Sequence, residues 1–100
     1  MPKGYWIAHV TVTDPEVYKE YVAANAIAFK KYNAKFLVRA GKFELKGGTA
    51  KERHVVIEFD SYATALACYE SPEYKAAAKI RDRAGLVDIV VVEGWDPPAA

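Results

Sequence analysis

This 100-residue chain predicts an α+β fold: one four-stranded antiparallel sheet with helices on one face. Three observations carry the prediction. Four short stretches rich in β-branched and aromatic residues alternate with helical patterns, in the order β-α-β-β-α-β. Two helix-start signals, Asp14-Pro15-Glu16 and Ser71-Pro72-Glu73, introduce runs with apolar residues at helical spacing. A weak internal repeat aligns "AHVTVTDPEVYKEY" with "VVIEFDSYATALACY", each reading as strand, Asp or Ser cap, then tyrosine-bearing helix. Two β-α-β halves sharing one sheet make the ferredoxin-like plan.

"GYWIAHVTVT" (4–13) reads as the first strand. Asp14 can cap the amides of the helix that follows, Pro15 suits its first position, and Glu16 suits its positive end. Val17, Tyr21, Ala24, Ala28 and Tyr32 recur at helical spacing, with Val22, Asn25 and Phe29 beside them. Asn33 fits the helix end. "AKFLVRAGKFELK" (34–46) reads as a strand with a bulge or bend at Gly41. "GGTAKE" (47–52) is a loop tip, and "RHVVIEF" (53–59) is the third strand. Ser61 caps "YATALACY", the second helix begins again at Ser71-Pro72, and Gly85 can stop it. "LVDIVVVEGW" (86–95) is the last strand. The expected organisation is a single domain over 1–95 with a tail at 96–100.

Composition narrows the function classes. Net charge is +1, from 14 basic and 13 acidic residues, which offers no footprint for nucleic acid or an anionic membrane. The single cysteine, Cys68, excludes an intrachain disulfide and paired-cysteine metal sites. No signal peptide and no membrane-length apolar run is visible, so the expected location is the cytoplasm. The chain is 52% hydrophobic and 13% aromatic, much for one small core to hide, and a shared interface is the natural outlet.

Side chains alternate across a strand, so parity sorts the faces. Trp6, Ala8, Val10 and Val12 form an apolar set expected to meet the helices, with Phe36, Val38, Ala40, Val55, Ile57, Phe59, Val87, Ile89 and Val91. Tyr5, Ile7, His9, Thr11, Leu37, Arg39, His54, Val56, Glu58, Asp88, Val90 and Val92 then occupy the open face. That face is too apolar for water and too ionisable for a dry core. It fits a sheet that packs on a second copy and encloses a semi-polar cavity.

"KGYWIAHVTVTDPEVYKEY", "KFLVRAGKFELKG", "RHVVIEFDSYATALACYESPEYKAA" and "DIVVVEG", in this order, resemble the domain of unknown function 1330 family (DUF1330) from Gly4 to about Gly94. The resemblance implies a homodimeric α+β barrel in which two ferredoxin-like sheets face each other. It implies no particular activity. Relatives by fold include cofactor-free monooxygenases, muconolactone isomerases and a haem-binding branch, but no haem-ligand pattern carries over, and no cofactor is expected.

The candidate chemistry lies on the open face. The repeat, laid with the first and third strands parallel, pairs Thr11 with Glu58 and Ile7 with His54. This puts His9 one same-face step from Glu58. A carboxylate beside histidine orients it as a general base, so His9, His54 and Glu58 are the candidate catalytic residues. Arg39 could hold a substrate carboxylate or enolate, with Tyr5 and Asp88 as further binding candidates. Asp88 has an equal claim to a structural ion pair with Arg39 or His54 of either copy. The competing reading makes the whole cluster a salt-bridge network that only fixes the dimer. No spacing motif supports a metal site, and no nucleophile–base pair supports a hydrolytic triad. The helix tyrosines are expected at core edges with hydroxyls reaching water, Trp6 in the core, Cys68 as a buried apolar group, and Trp95 at a subunit contact.

Overall fold

The computed structural model describes residues 2–98. In chain order the elements are β1 (Gly4–Val12), α1 (Pro15–Lys31), β2 (Lys35–Arg39), β3 (Arg53–Phe59), α2 (Tyr62–Glu70), α3 (Pro72–Ala84) and β4 (Gly85–Glu93). The sheet order is β2-β3-β1-β4, and every neighbouring pair is antiparallel. Of the tail expected at 96–100, residues 99 and 100 lie outside the described residues.

The helices start where their capping residues stand. Asp14 Oδ1 accepts the Val17 amide at 3.2 Å, Ser61 Oγ accepts that of Thr64 at 3.1 Å, and Ser71 Oγ accepts that of Tyr74 at 3.1 Å. Ser71 is buried, and its hydroxyl also donates to the Cys68 carbonyl at 2.7 Å. It thereby satisfies the end of α2 and the start of α3 together.

Trp6 anchors the core. It is 1% exposed, its indole N–H donates to the Ala65 carbonyl at 2.9 Å, and Phe29, Phe59, Tyr69 and Tyr74 surround its ring. Ala8, Val55, Ile57 and Phe59 join it from the sheet, and Tyr21, Ala28, Phe29, Ala65, Cys68 and Ala77 from the helices. Tyr74 is fully buried rather than at a core edge. Its hydroxyl meets that of Tyr21 at 2.7 Å and accepts from Arg81 at 3.2 Å, so the two hydroxyls satisfy each other instead of reaching water.

Two glycines are required by close approach. A Cβ on Gly4 would lie 2.3 Å from the Ser61 carbonyl oxygen, and one on Gly85 2.3 Å from that of Thr11. Gly85 ends α3 in extended backbone (φ 176°), so its need is space rather than a left-handed conformation. Asn33 does adopt positive φ, 56°, just beyond α1.

Three strand expectations need correction. First, β1 and β3 are antiparallel, not parallel: His9 lies opposite His54, and Tyr5 opposite Glu58. Two crossovers make β1 parallel to β2 and β3 parallel to β4, and the β2–β3 hairpin reverses direction, so β3 must run against β1. Second, β2 stops at Arg39 instead of continuing to 46. Third, the bulge falls between Phe36 and Val38, not at Gly41. Beyond it Val38 pairs with Val56 and Arg39 with Val55, so Val38 takes the open face and Arg39 the helix face.

Candidate functional site on the open sheet face

The antiparallel register arranges the open face in rungs. His9 has His54 on one side and Asp88 on the other. Ile7 lies between Val56 and Val90 in the next rung, and Tyr5 between Glu58 and Val92 in the one after. An apolar rung therefore separates the histidines from Glu58, which lies four residues from His54, about 13 Å along the strand. Glu58 bonds instead to the Tyr5 hydroxyl, which donates to its Oε2 at 3.1 Å. Desolvation, with that hydrogen bond second, raises the Tyr5 phenol above its ordinary value.

His9 and His54 meet directly, Nδ1 to Nδ1 at 2.8 Å, with their rings edge-to-face. One nitrogen must carry the shared proton and the other must accept it. His9 is exposed, whereas His54 is half-buried with the Phe43 ring 4.6 Å from its own. Its Nε2 is shut off from water and has no hydrogen-bond partner. If His54 donates from Nδ1, that buried Nε2 is a bare lone pair. If His9 donates, His54 Nε2 holds a buried N–H with no acceptor, at a cost of about 1–3 kcal/mol. A buried N–H without an acceptor is worse tolerated than a bare lone pair, so the first is the expected resting arrangement. The second leaves His9 Nε2 bare on the exposed side, free to take a proton.

The β2–β3 connection closes over this rung. Lys51 reaches across to Asp88 and forms an ion pair with it. The Lys51 hydrogen bond and charge, then the nearby His9, hold the Asp88 carboxyl below its usual range. The Thr11 hydroxyl likewise lowers the next residue, Glu52. His9, Thr49, Ala50, Lys51 and Asp88 line an open pocket of about 400 Å³, a size suited to a small organic molecule.

The structure thus brings together His9, His54 and Asp88, sets Tyr5 and Glu58 apart as a second pair, and turns Arg39 to the other face. There the Arg39 guanidinium lies over the Phe36 ring, 4.2 Å from its centre. Within the chain, Asp88 pairs with Lys51, not with Arg39 or His54. Lys51 was hidden in a loop tip, and the sequence held no signal for its reach across the sheet. Among the described residues no three His, Cys, Asp or Glu side chains converge as a metal site. No described helix is long and apolar enough to cross a membrane.

The fold is that of a ferredoxin-like α+β protein, and solved structures share it. A Rhodopseudomonas palustris protein of unknown function superposes with a TM-score of 0.74 at 19% identity, covering 96% of this chain and 85% of its own. A dimeric ferredoxin-like protein of unknown function from Thermobifida fusca gives 0.58 at 19% identity, covering 92% and 89%. SnoaB, a cofactor-independent oxygenase from Streptomyces nogalater, gives 0.64 at 12% identity, covering 97% of each chain. At these identities the likeness is one of fold. No curated protein matches the chain. Residues 3–95 match the family described as "Domain of unknown function (DUF1330)", and the chain belongs to that family.

Proposed function

We propose that the protein is a homodimer whose open sheet faces enclose a small-molecule site, and that this site moves a proton on an organic substrate without a bound cofactor. The observation that carries the reading is the His9–His54 hydrogen bond beside Asp88 and Lys51, in an open pocket. Starting from the arrangement in which His9 donates its Nδ1–H to His54 and its Nε2 is bare, His9 Nε2 takes a proton from an acidic carbon or phenol, and the bonding electron pair stays on the substrate as an enolate or phenolate. His54 Nδ1 accepts the hydrogen bond of the resulting imidazolium, and ionised Asp88 stabilises its charge. The Lys51 ammonium faces the new oxyanion. Arg39 has no part on this face, and Glu58 acts only through Tyr5. The dimeric state described for the Thermobifida fusca neighbour and the cofactor-independent chemistry named for SnoaB agree with the reading by analogy of fold.

A second reading has its own support. Val38, Leu86, Val90 and Val92 are all exposed, and the register puts them on the same face as the histidines. In that reading the face is a filled joint between copies, and its polar rung only sets register. Alanine at His9 or Lys51 separates the two. Sedimentation velocity reads the dimer, and acetylacetone and acetoacetate serve as carbon-acid probes in thermal unfolding. A variant that stays dimeric but loses the probes' stabilisation supports the site. A variant that falls to monomer, from a parent that no probe stabilises, supports the joint.

A further inference from the structure

We propose a second binding site, on the opposite side of the sheet, for a short-chain monocarboxylate. A crevice opens between α1 and the helix-facing side of the sheet. Its walls are mostly apolar, among them Val10, Val22, Phe36 and Val55, and no acidic residue lines it. Two arginines do line it, Arg39 and Arg53. Arg39 is there because the bulge in β2 turned it from the open face.

Neither arginine has a carboxylate partner among the ion pairs of the described residues. Each is held over an aromatic ring instead: Arg39 over Phe36 at 4.2 Å, and Arg53 over Tyr18 at 5.2 Å. Arg53 Nε is shut off from water and donates to nothing. A buried cationic donor without an acceptor is costly, and a carboxylate is the acceptor whose geometry and charge fit a guanidinium best. Stacking on the rings has already fixed the positions of both groups, so little order is lost on binding.

Size restricts the ligand. The space within the crevice is about 40 Å³. Each water-sized group needs about 10–15 Å³ by that measure, so about three non-hydrogen atoms fit inside. A carboxylate at the arginines with a tail of that length is propionate or butyrate. The walls favour the alkyl tail, and the arginines select the anion. This site and the His9 rung lie on opposite faces of one sheet, so the proposal stands independently of the proton-transfer reading.

The test is a titration of the full chain with sodium propionate and sodium butyrate, followed through the arginine Nε–H resonances. Propionamide and sodium chloride are the controls. The expected result is a saturable shift of the Arg53 Nε–H with both carboxylates and none with propionamide or chloride. Arg53→Gln and Arg39→Gln should each weaken binding about tenfold or more. Val22→Phe, which keeps both arginines but fills the void, should also abolish it, and His9→Ala should leave it unchanged. The site is overturned if propionamide shifts the resonance as the acids do, if no shift saturates, or if binding survives Val22→Phe.

Discussion

His9 and His54 share one hydrogen bond across the β1–β3 ladder, Nδ1 to Nδ1 at 2.8 Å, and everything proposed for the open face depends on which of them holds the proton. The resting pair is expected to carry it on His54, because the alternative leaves a buried N–H at Nε2 without an acceptor. Long-range proton–nitrogen NMR of the two rings reads this directly. His54 should show a protonated Nδ1 and a bare Nε2. A protonated Nε2 on His54 in the free protein would reverse the assignment.

The pair should also show as coupling in stability. A double-mutant cycle of His9→Ala and His54→Ala, followed by urea unfolding, is expected to give about 0.5–1.5 kcal/mol. Additive single effects would mean that the hydrogen bond is not made in solution.

Close backbone approach makes two glycines intolerant. Gly4→Ala and Gly85→Ala each put a Cβ 2.3 Å from a backbone oxygen. Each should cost about 1–3 kcal/mol or more in urea unfolding. Gly41→Ala, with nothing within 4 Å of the added atom, should stay within about 0.5 kcal/mol of the parent.

Burial, above all, raises the Tyr74 phenol above its ordinary 10.0. A group held neutral in the fold but free to ionise when unfolded favours folding at low pH. Its contribution is therefore present in full below pH 10.0 and is lost as pH rises from there toward the elevated folded value. Alkaline unfolding should accordingly be shifted in Tyr74→Phe. That variant also removes the partner of the Tyr21 hydroxyl and one acceptor of Arg81, and should cost about 1–3 kcal/mol at neutral pH.

Burial pushes the Cys68 thiol up to about 12, and its sulfur faces the Ala28 carbonyl rather than solvent. It should resist an aromatic disulfide reagent in the native protein and react fully in denaturant. Rapid native-state labelling would show that α2 opens easily.

Much of the fold was legible because its signals are local. The Asp14, Ser61 and Ser71 caps stand where three helices start, and β1 and β3 sort their core residues by parity alone. The site was less legible because it rests on relations parity does not contain. One bulge at Leu37 exchanged the faces of Val38 and Arg39. Reading the internal repeat as a parallel ladder put Glu58 beside His9, although the hairpin and crossovers together demand the antiparallel register that pairs His9 with His54. Lys51 and Asp88 lie 37 residues apart in sequence and meet only because the β2–β3 connection folds over the open face.

The most direct test of the proton-transfer reading is solvent exchange at carbon. Acetylacetone in heavy water loses its central C–H signal in the proton NMR spectrum as the proton is removed and replaced by deuterium. The wild-type protein should accelerate that loss over buffer, and a dimeric His9→Ala should lose the enzyme-dependent part by about a hundredfold or more. Exchange no faster than buffer with the wild type, or unchanged in His9→Ala, would contradict the account.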